Sequence, residues 1–152
     1  MISAESTVDI ERPVDEVFAF VSDCRNEPRW HMDVVAAEPI GGEPIGVGTR
    51  ERWKMFGGRW ENIMRVVRFM PNELIELDGE RRAMGIHISL RYTIQPVASG
   101  SRFSRRFNAE MTGVGRLLEP MYRLGAPRRN RQFTRNLKAV LEDPAARRPD
   151  SA

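Results

Sequence analysis

The sequence predicts an α+β fold: a curved antiparallel sheet of six or seven strands wrapped around one long C-terminal helix, with two short helices after the first strand. Three observations predict it. From about Val35 to Thr112 the chain alternates polar and apolar residues in runs separated by turn residues, as antiparallel strands do. From Val114 to Glu142 apolar residues recur at helical spacing. An opening strand and two short helical patterns precede both. A curved sheet with one apolar face needs a cover, and the last helix is the element available. Such a pairing tends to leave a cavity, and cavities of this kind bind small apolar molecules.

Thr7 to Ile10 alternates and reads as the first strand. Pro13 suits a helix start because its missing N–H is not needed there, and Asp15 and Glu16 favour the positive helix end. Val14, Val17, Phe18 and Val21 then define a short helix over residues 13–22. Asn26-Glu27-Pro28 opens a second, which carries Trp30 and Met32. Val34 to Ile40 is the second strand, followed by a glycine-rich loop. Thr49 to Phe56 and Arg59 to Phe69 make a hairpin about a two-residue turn at Gly57-Gly58, where both residues take positive φ cheaply. Glu73 to Gly79 is a short strand after Pro71-Asn72. Ile86 to Ile94 alternates without a break, and Ser99-Gly100 turns it into the strand from Phe103 to Met111. In the last segment Pro120 and Pro127 interrupt the helical pattern, and a kink or break is expected near Gly125-Ala126-Pro127. The tail from Asp143 to Ala152 is polar and expected to fray.

At 152 residues the chain is read as a single domain. No apolar run reaches the roughly 18–20 residues of a membrane span, so no stable membrane insertion is expected. The N-terminus has no apolar signal core, which points to the cytoplasm. Cys24 is the sole cysteine, so no internal disulfide forms. His31, His87 and Cys24 make no zinc-like spacing, and neither metal nor cofactor is expected. Arginine supplies nearly all the cations, as in proteins of GC-rich genomes. The cluster Arg128, Arg129, Arg131 and Arg135, with Arg147 and Arg148 beyond, reads as a solvated face. No exposed aromatics interleave with it, so no nucleic-acid partner is expected. A homodimer is left open.

The order of elements resembles the helix-grip fold of the START and polyketide-cyclase superfamily. Local features carry the resemblance: Arg-Pro-Val-Asp-Glu-Val-Phe at residues 12–18, Trp30 on the second helix, Gly-Val-Gly-Thr-Arg at 46–50, and Tyr92-Thr93-Ile94-Gln95-Pro96 before Ser99-Gly100-Ser101. The resemblance covers Ser3 to Glu142. It implies a ligand cavity between sheet and helix, and relatives that include cyclases, dehydratases, receptors and lipid carriers. A fold alone does not choose among these chemistries.

Alternation assigns the inward residues. They include Glu51, Trp53 and Met55; Trp60, Asn62, Met64 and Val66; Ile75 and Leu77; Ile88, Leu90, Tyr92 and Ile94; and Phe103, Arg105, Phe107, Ala109 and Met111. The expected ligand-binding set is Trp30, Trp53, Asn62, Met64, Tyr92, Arg105, Phe107 and Met121. Glu51 and Arg105 are the candidates for catalysis. Both are ionisable on an apolar face, so they are expected to pair with each other or to lie at the sheet margin. His87 falls on the opposite face, and His31 lies near the expected cavity mouth with no evident partner. The leading expectation is a binder of a lipid, polyketide or aromatic metabolite. The alternative is a cyclase or dehydratase using the same cavity.

Overall fold

Seven strands form one antiparallel sheet: β1 (Ile2–Ile10), β2 (Val34–Ile40), β3 (Arg50–Met55), β4 (Trp60–Met70), β5 (Leu74–Gly79), β6 (Ile86–Val97) and β7 (Gly100–Met111). Their spatial order in the computed structural model is β1-β7-β6-β5-β4-β3-β2. Strands β2 to β7 are therefore a meander, and β1 closes against β7. Helix α1 (Val14–Ser22) and a 3-10 helix (Cys24–Arg29) follow β1; a second 3-10 helix (Gly113–Leu118) leads into α2 (Glu119–Glu142). This is the expected helix-grip arrangement. The described residues are 1–42, 44–80 and 84–143; the tail expected to fray, 144–152, and part of the β5–β6 connection lie outside them.

The face assignment holds along most of the sheet. Glu51, Trp53, Met64, Val66, Leu77, Leu90, Tyr92, Ile94, Phe103, Arg105 and Ala109 are all buried. A bulge between Val66 and Arg68 resets the phase of β4. The opposite face carries ion pairs between neighbouring strands. Arg102 meets Asp9 at 2.8 Å, Arg106 meets Glu5 at 2.8 Å, and Glu80 bridges Arg50 and Arg65, each at 2.7 Å. Glu76 takes both Arg68 and Arg91. His87 joins this face, 3.0 Å from Asp78. Much of the arginine content is thus matched by carboxylates across the sheet.

Two local expectations are corrected. The β3–β4 turn spans four residues, since Met55 pairs with Trp60; Phe56 joins Gly57 and Gly58 at positive φ. Helix α2 is continuous through Pro127, and the change of helix type falls earlier, at Leu118–Glu119. Pro120 sits in the first turn of α2, where a missing N–H breaks nothing.

Where α2 docks explains the cavity. It lies against β1 and β7, over a patch of small residues: Ala4, Ala109 and Ala126 with Ile2. Ser6 and Thr134 hydroxyls share a 2.8 Å hydrogen bond there. Asn130 Nδ2 donates to the carbonyls of Arg105 at 2.9 Å and Ala4 at 3.3 Å. Small side chains let the helix approach one side of the sheet closely. The larger side chains of β3 to β6 face the space left beneath its other side. The chain is tightly packed where Gly85 and Gly115 meet, next to the lining residues Met84 and Ile86. A Cβ on Gly85 would stand 2.0 Å from the Thr112 carbonyl oxygen, and one on Gly115 would stand 2.7 Å from that of Met84.

Candidate functional site

A cavity of about 190 Å³ opens between the sheet and α2. Trp60, Met64, Ile86, Ile88, Leu90 and Phe107 line its middle. Phe56, Glu61, Met84, Leu118 and Tyr122 border it where side chains become exposed. His31, Trp53, Arg105, Asn130 and Phe133 form its buried end. Leu118, at the end of the preceding 3-10 helix, and Tyr122, Ala126, Arg129, Asn130 and Phe133 of α2 line it, and their three- and four-residue spacings make one stripe.

Of the residues expected from sequence, Trp53, Asn62, Met64, Arg105 and Phe107 border this cavity. Three others do not. Met121 is 62% exposed, because the phase of α2 turns its neighbours Leu118 and Tyr122 inward instead. Trp30 and Tyr92 are fully buried in the core beyond the cavity wall, with ring centroids 5.6 Å apart and both against Phe103. Glu51 is buried but does not border the cavity; its Oε2 accepts a 2.9 Å hydrogen bond from Trp53 Nε1. Nor does it pair with Arg105, whose Nη1 donates to Asn130 Oδ1 and whose guanidinium stacks 5.0 Å from the Phe133 ring.

The carboxylate nearest in effect to Arg105 is one that periodicity did not single out. Glu27, on the first 3-10 helix, is buried and accepts from the Tyr92 hydroxyl at 3.3 Å. Its backbone carbonyl takes the N–H groups of Trp30 and His31, so the same turn positions both rings. The His31 Nδ1 stands 3.4 Å from Glu27 Oε2 without the geometry of a hydrogen bond. The spacing Glu27-x-x-x-His31 was the available signal, since residues four apart share one side of a helical turn. Asn130 carries a similar signal, as a polar residue on the apolar stripe of α2.

Burial dominates the electrostatics. It drives the Glu27 carboxyl well above its ordinary range, aided by Glu51 and opposed by Arg105 and the Tyr92 hydrogen bond. Glu51 is raised to about 7 by desolvation, against the Trp53 hydrogen bond. His31 is held well below the usual imidazole value by desolvation and by the Arg105 and Arg129 guanidiniums. The His31–Glu27 contact is therefore not an ion pair at neutral pH. In an NMR titration the His31 ring of the folded protein should take up its proton at a lower pH than His31 in the urea-unfolded chain, which titrates at about 6.5. Because the unfolded chain takes up that proton first, this residue lowers stability as pH falls below 6.5. A folded-state midpoint at or above 6.5 would contradict this account.

Among the described residues no group of three or more His, Cys, Asp or Glu could hold a metal ion, and no helix is long and apolar enough to cross a membrane. Cys24 is buried, and burial raises its thiol further out of the reactive range.

A seven-stranded antiparallel sheet with a long C-terminal helix against it defines a START-like helix-grip fold. The chain belongs to the family described as polyketide cyclase / dehydrase and lipid transport, whose model matches residues 1–142. Similar solved structures include a START superfamily protein from Mycobacterium smegmatis: TM-score 0.74, 16% identity, covering 92% of this chain and 97% of that one. The di-domain ARO/CYC StfQ from the steffimycin biosynthetic pathway matches with TM-score 0.74 and 14% identity over 95% of this chain and 51% of its own. Protein MLL2253 from Mesorhizobium loti matches with TM-score 0.68 and 15% identity, covering 92% and 96%. At such identities the likeness is one of fold. No curated protein matches the sequence.

Proposed function

We propose that the protein binds a small, mostly apolar molecule in the cavity between the sheet and α2. The observation that carries this reading is the cavity's lining: mostly aromatic and aliphatic, with Asp33, Glu61 and Arg129 at its exposed edge and His31, Asn62, Arg105 and Asn130 as the polar groups further in. Apolar walls supply most of the affinity of such sites, and a few placed polar groups orient the ligand. Trp53, Asn62, Met64, Arg105 and Phe107 are the proposed contacts, joined by Trp60, Ile88, Asn130 and Phe133. Asn62 brings a buried Oδ1 with no partner, which a ligand hydroxyl would satisfy. Size narrows the class. A cavity of about 190 Å³ compares with the roughly 150 Å³ that admits benzene, and falls below the roughly 300–1,000 Å³ of drug-sized sites. One or two fused rings fit this volume better than a long lipid chain or a tetracycle.

Isothermal titration with naphthalene-sized ligands tests the reading. Ile88→Trp places an indole where the ligand would lie. It should weaken binding at least about tenfold while the thermal midpoint stays within a few degrees. Undiminished affinity would put the ligand elsewhere.

A second reading is catalysis of the cyclase or dehydratase type. His31 favours it: a buried, neutral imidazole on the cavity wall with a carboxyl behind it can exchange protons with a bound ligand. Glu51 is the weaker candidate because it lies behind Trp53. Turnover of a polyketide-like substrate that His31→Gln abolishes without loss of binding would favour this reading over passive binding.

A further inference from the structure

We propose that the buried end of the cavity is a carboxylate site: the ligand is a small aromatic or alicyclic acid whose anionic head seats against Arg105. This deepens the binding reading above and rests on it. Every other strand arginine among the described residues has a carboxylate partner: Arg50 and Arg65 share Glu80, Arg68 and Arg91 share Glu76, Arg52 has Glu38 and Glu61, Arg102 has Asp9, and Arg106 has Glu5. Even Arg129, at the cavity's edge, has Asp33. Arg105 is the exception, and it is the strand arginine that burial should penalise most, at 2% exposure. A guanidinium does not escape that penalty by losing its proton.

What the fold provides for Arg105 is neutral. Asn130 Oδ1 accepts from Nη1, the Phe133 ring lies 5.0 Å from the guanidinium carbon, and Nε has no partner. Asn130 is itself fixed by its bonds to two backbone carbonyls, so Arg105 is held in place from one side. Neither buried carboxyl of this region forms an ion pair with Arg105, although Glu27 is close enough to feel its charge. Glu51 accepts from Trp53, and Glu27 faces the Tyr92 hydroxyl and His31. Burial also biases both towards their neutral forms. The guanidinium of Arg129 stands 6.0 Å from the same Phe133 ring, but its charge is met by Asp33, which leaves Arg105 as the cation at this end without an ion-pair partner. An apolar passage that ends on a fixed guanidinium with no carboxylate in ion-pair contact matches an amphiphile with one anionic end. A carboxylate oxygen can accept the Nε–H that the protein leaves unused.

The test compares naphthalene-2-carboxylate with 2-acetylnaphthalene, its uncharged counterpart of the same shape, by titration calorimetry at pH 7.5. The wild-type protein should bind the acid tighter by about tenfold or more, the range of a charge-assisted hydrogen bond. Arg105→Met should bring the two probes within about threefold of each other, and Arg105→Lys should retain part of the preference. Circular dichroism establishes that each variant is folded. Should Arg105→Met fail to fold, the wild-type ratio and the Lys variant decide. Equal binding of both probes, or tighter binding of the ketone, overturns the carboxylate site and leaves the cavity reading standing. Binding of neither probe to the wild type removes the cavity reading for ligands of this size, and this inference with it.

Discussion

Trp30→Ala is expected to destabilise the protein by about 3–5 kcal/mol, the usual range for deleting a fully buried large aromatic. At this chain length that corresponds to a thermal midpoint lower by roughly 10 °C or more. Trp30 is 1% exposed and lies at the junction of three parts of the fold. Its ring meets Tyr92 of β6 at 5.6 Å and Phe103 of β7 at 6.0 Å, both edge-on. Its backbone carbonyl accepts from Asn136 Nδ2 of α2 at 3.2 Å. No partner ring is free to collapse into the space, because each is fixed in a strand. The adjoining His31 packs on Phe133 at 4.3 Å, so the loss should spread to the buried end of the cavity and weaken any ligand held there. Urea denaturation measures the change directly. A cost under about 1 kcal/mol would mean that Trp30 does not anchor this junction.

Glu51→Gln should change the pH dependence of stability markedly. The Glu51 carboxyl has an ordinary value of 4.5 and is raised to about 7 in the folded protein. Between those values the unfolded chain has released the proton while the native protein still holds it. Stability from this group is therefore full below 4.5 and lost as pH rises towards 7, by about 3 kcal/mol in total. Glutamine keeps an acceptor for Trp53 Nε1 and never ionises. It leaves an amide N–H₂ to satisfy, at about 1 kcal/mol. The variant should thus be slightly less stable than the wild type at pH 5 and more stable at pH 8, a relative swing on the order of 2–3 kcal/mol. Urea midpoints at the two pH values decide it. Parallel pH profiles for both proteins would show that Glu51 is ionised in the fold.

These two outcomes bear on function through one fact: the polar groups near the cavity do not form a single network. Glu51 belongs to a pair with Trp53 behind the wall. Glu27, His31, Tyr92, Arg105 and Asn130 make up a second set, of which His31, Arg105 and Asn130 border the cavity and Glu27 and Tyr92 lie behind them. Variants in the first should move stability with pH, and variants in the second should move ligand selectivity.

Most of the architecture was legible in the chain because its signals are local. Alternation along a strand is a period of two residues, so Trp53, Met64, Leu90 and Phe107 could be assigned to one face without knowing their neighbours. Glycine and proline marked most of the turns for an equally local reason. Three features were decided only by tertiary structure. Glu51 and Arg105 share the inward face, yet β4, β5 and β6 separate their strands. Four steps of about 4.8 Å put them roughly 19 Å apart along the sheet; sharing a face says nothing about distance across it. The apolar residues at the start of α2 covered more than one side, and docking against the small residues of β1 and β7 chose Tyr122 for the cavity and left Met121 and Leu124 exposed. Glu27 read from sequence only as part of the opening of a short helix. It is buried because the 3-10 turn folds onto Tyr92 of β6, a contact 65 residues away in sequence. Periodicity reports which side of an element is apolar; only the packing of elements distant in sequence brings a buried arginine and a histidine to one cavity wall, with two carboxyls buried behind it.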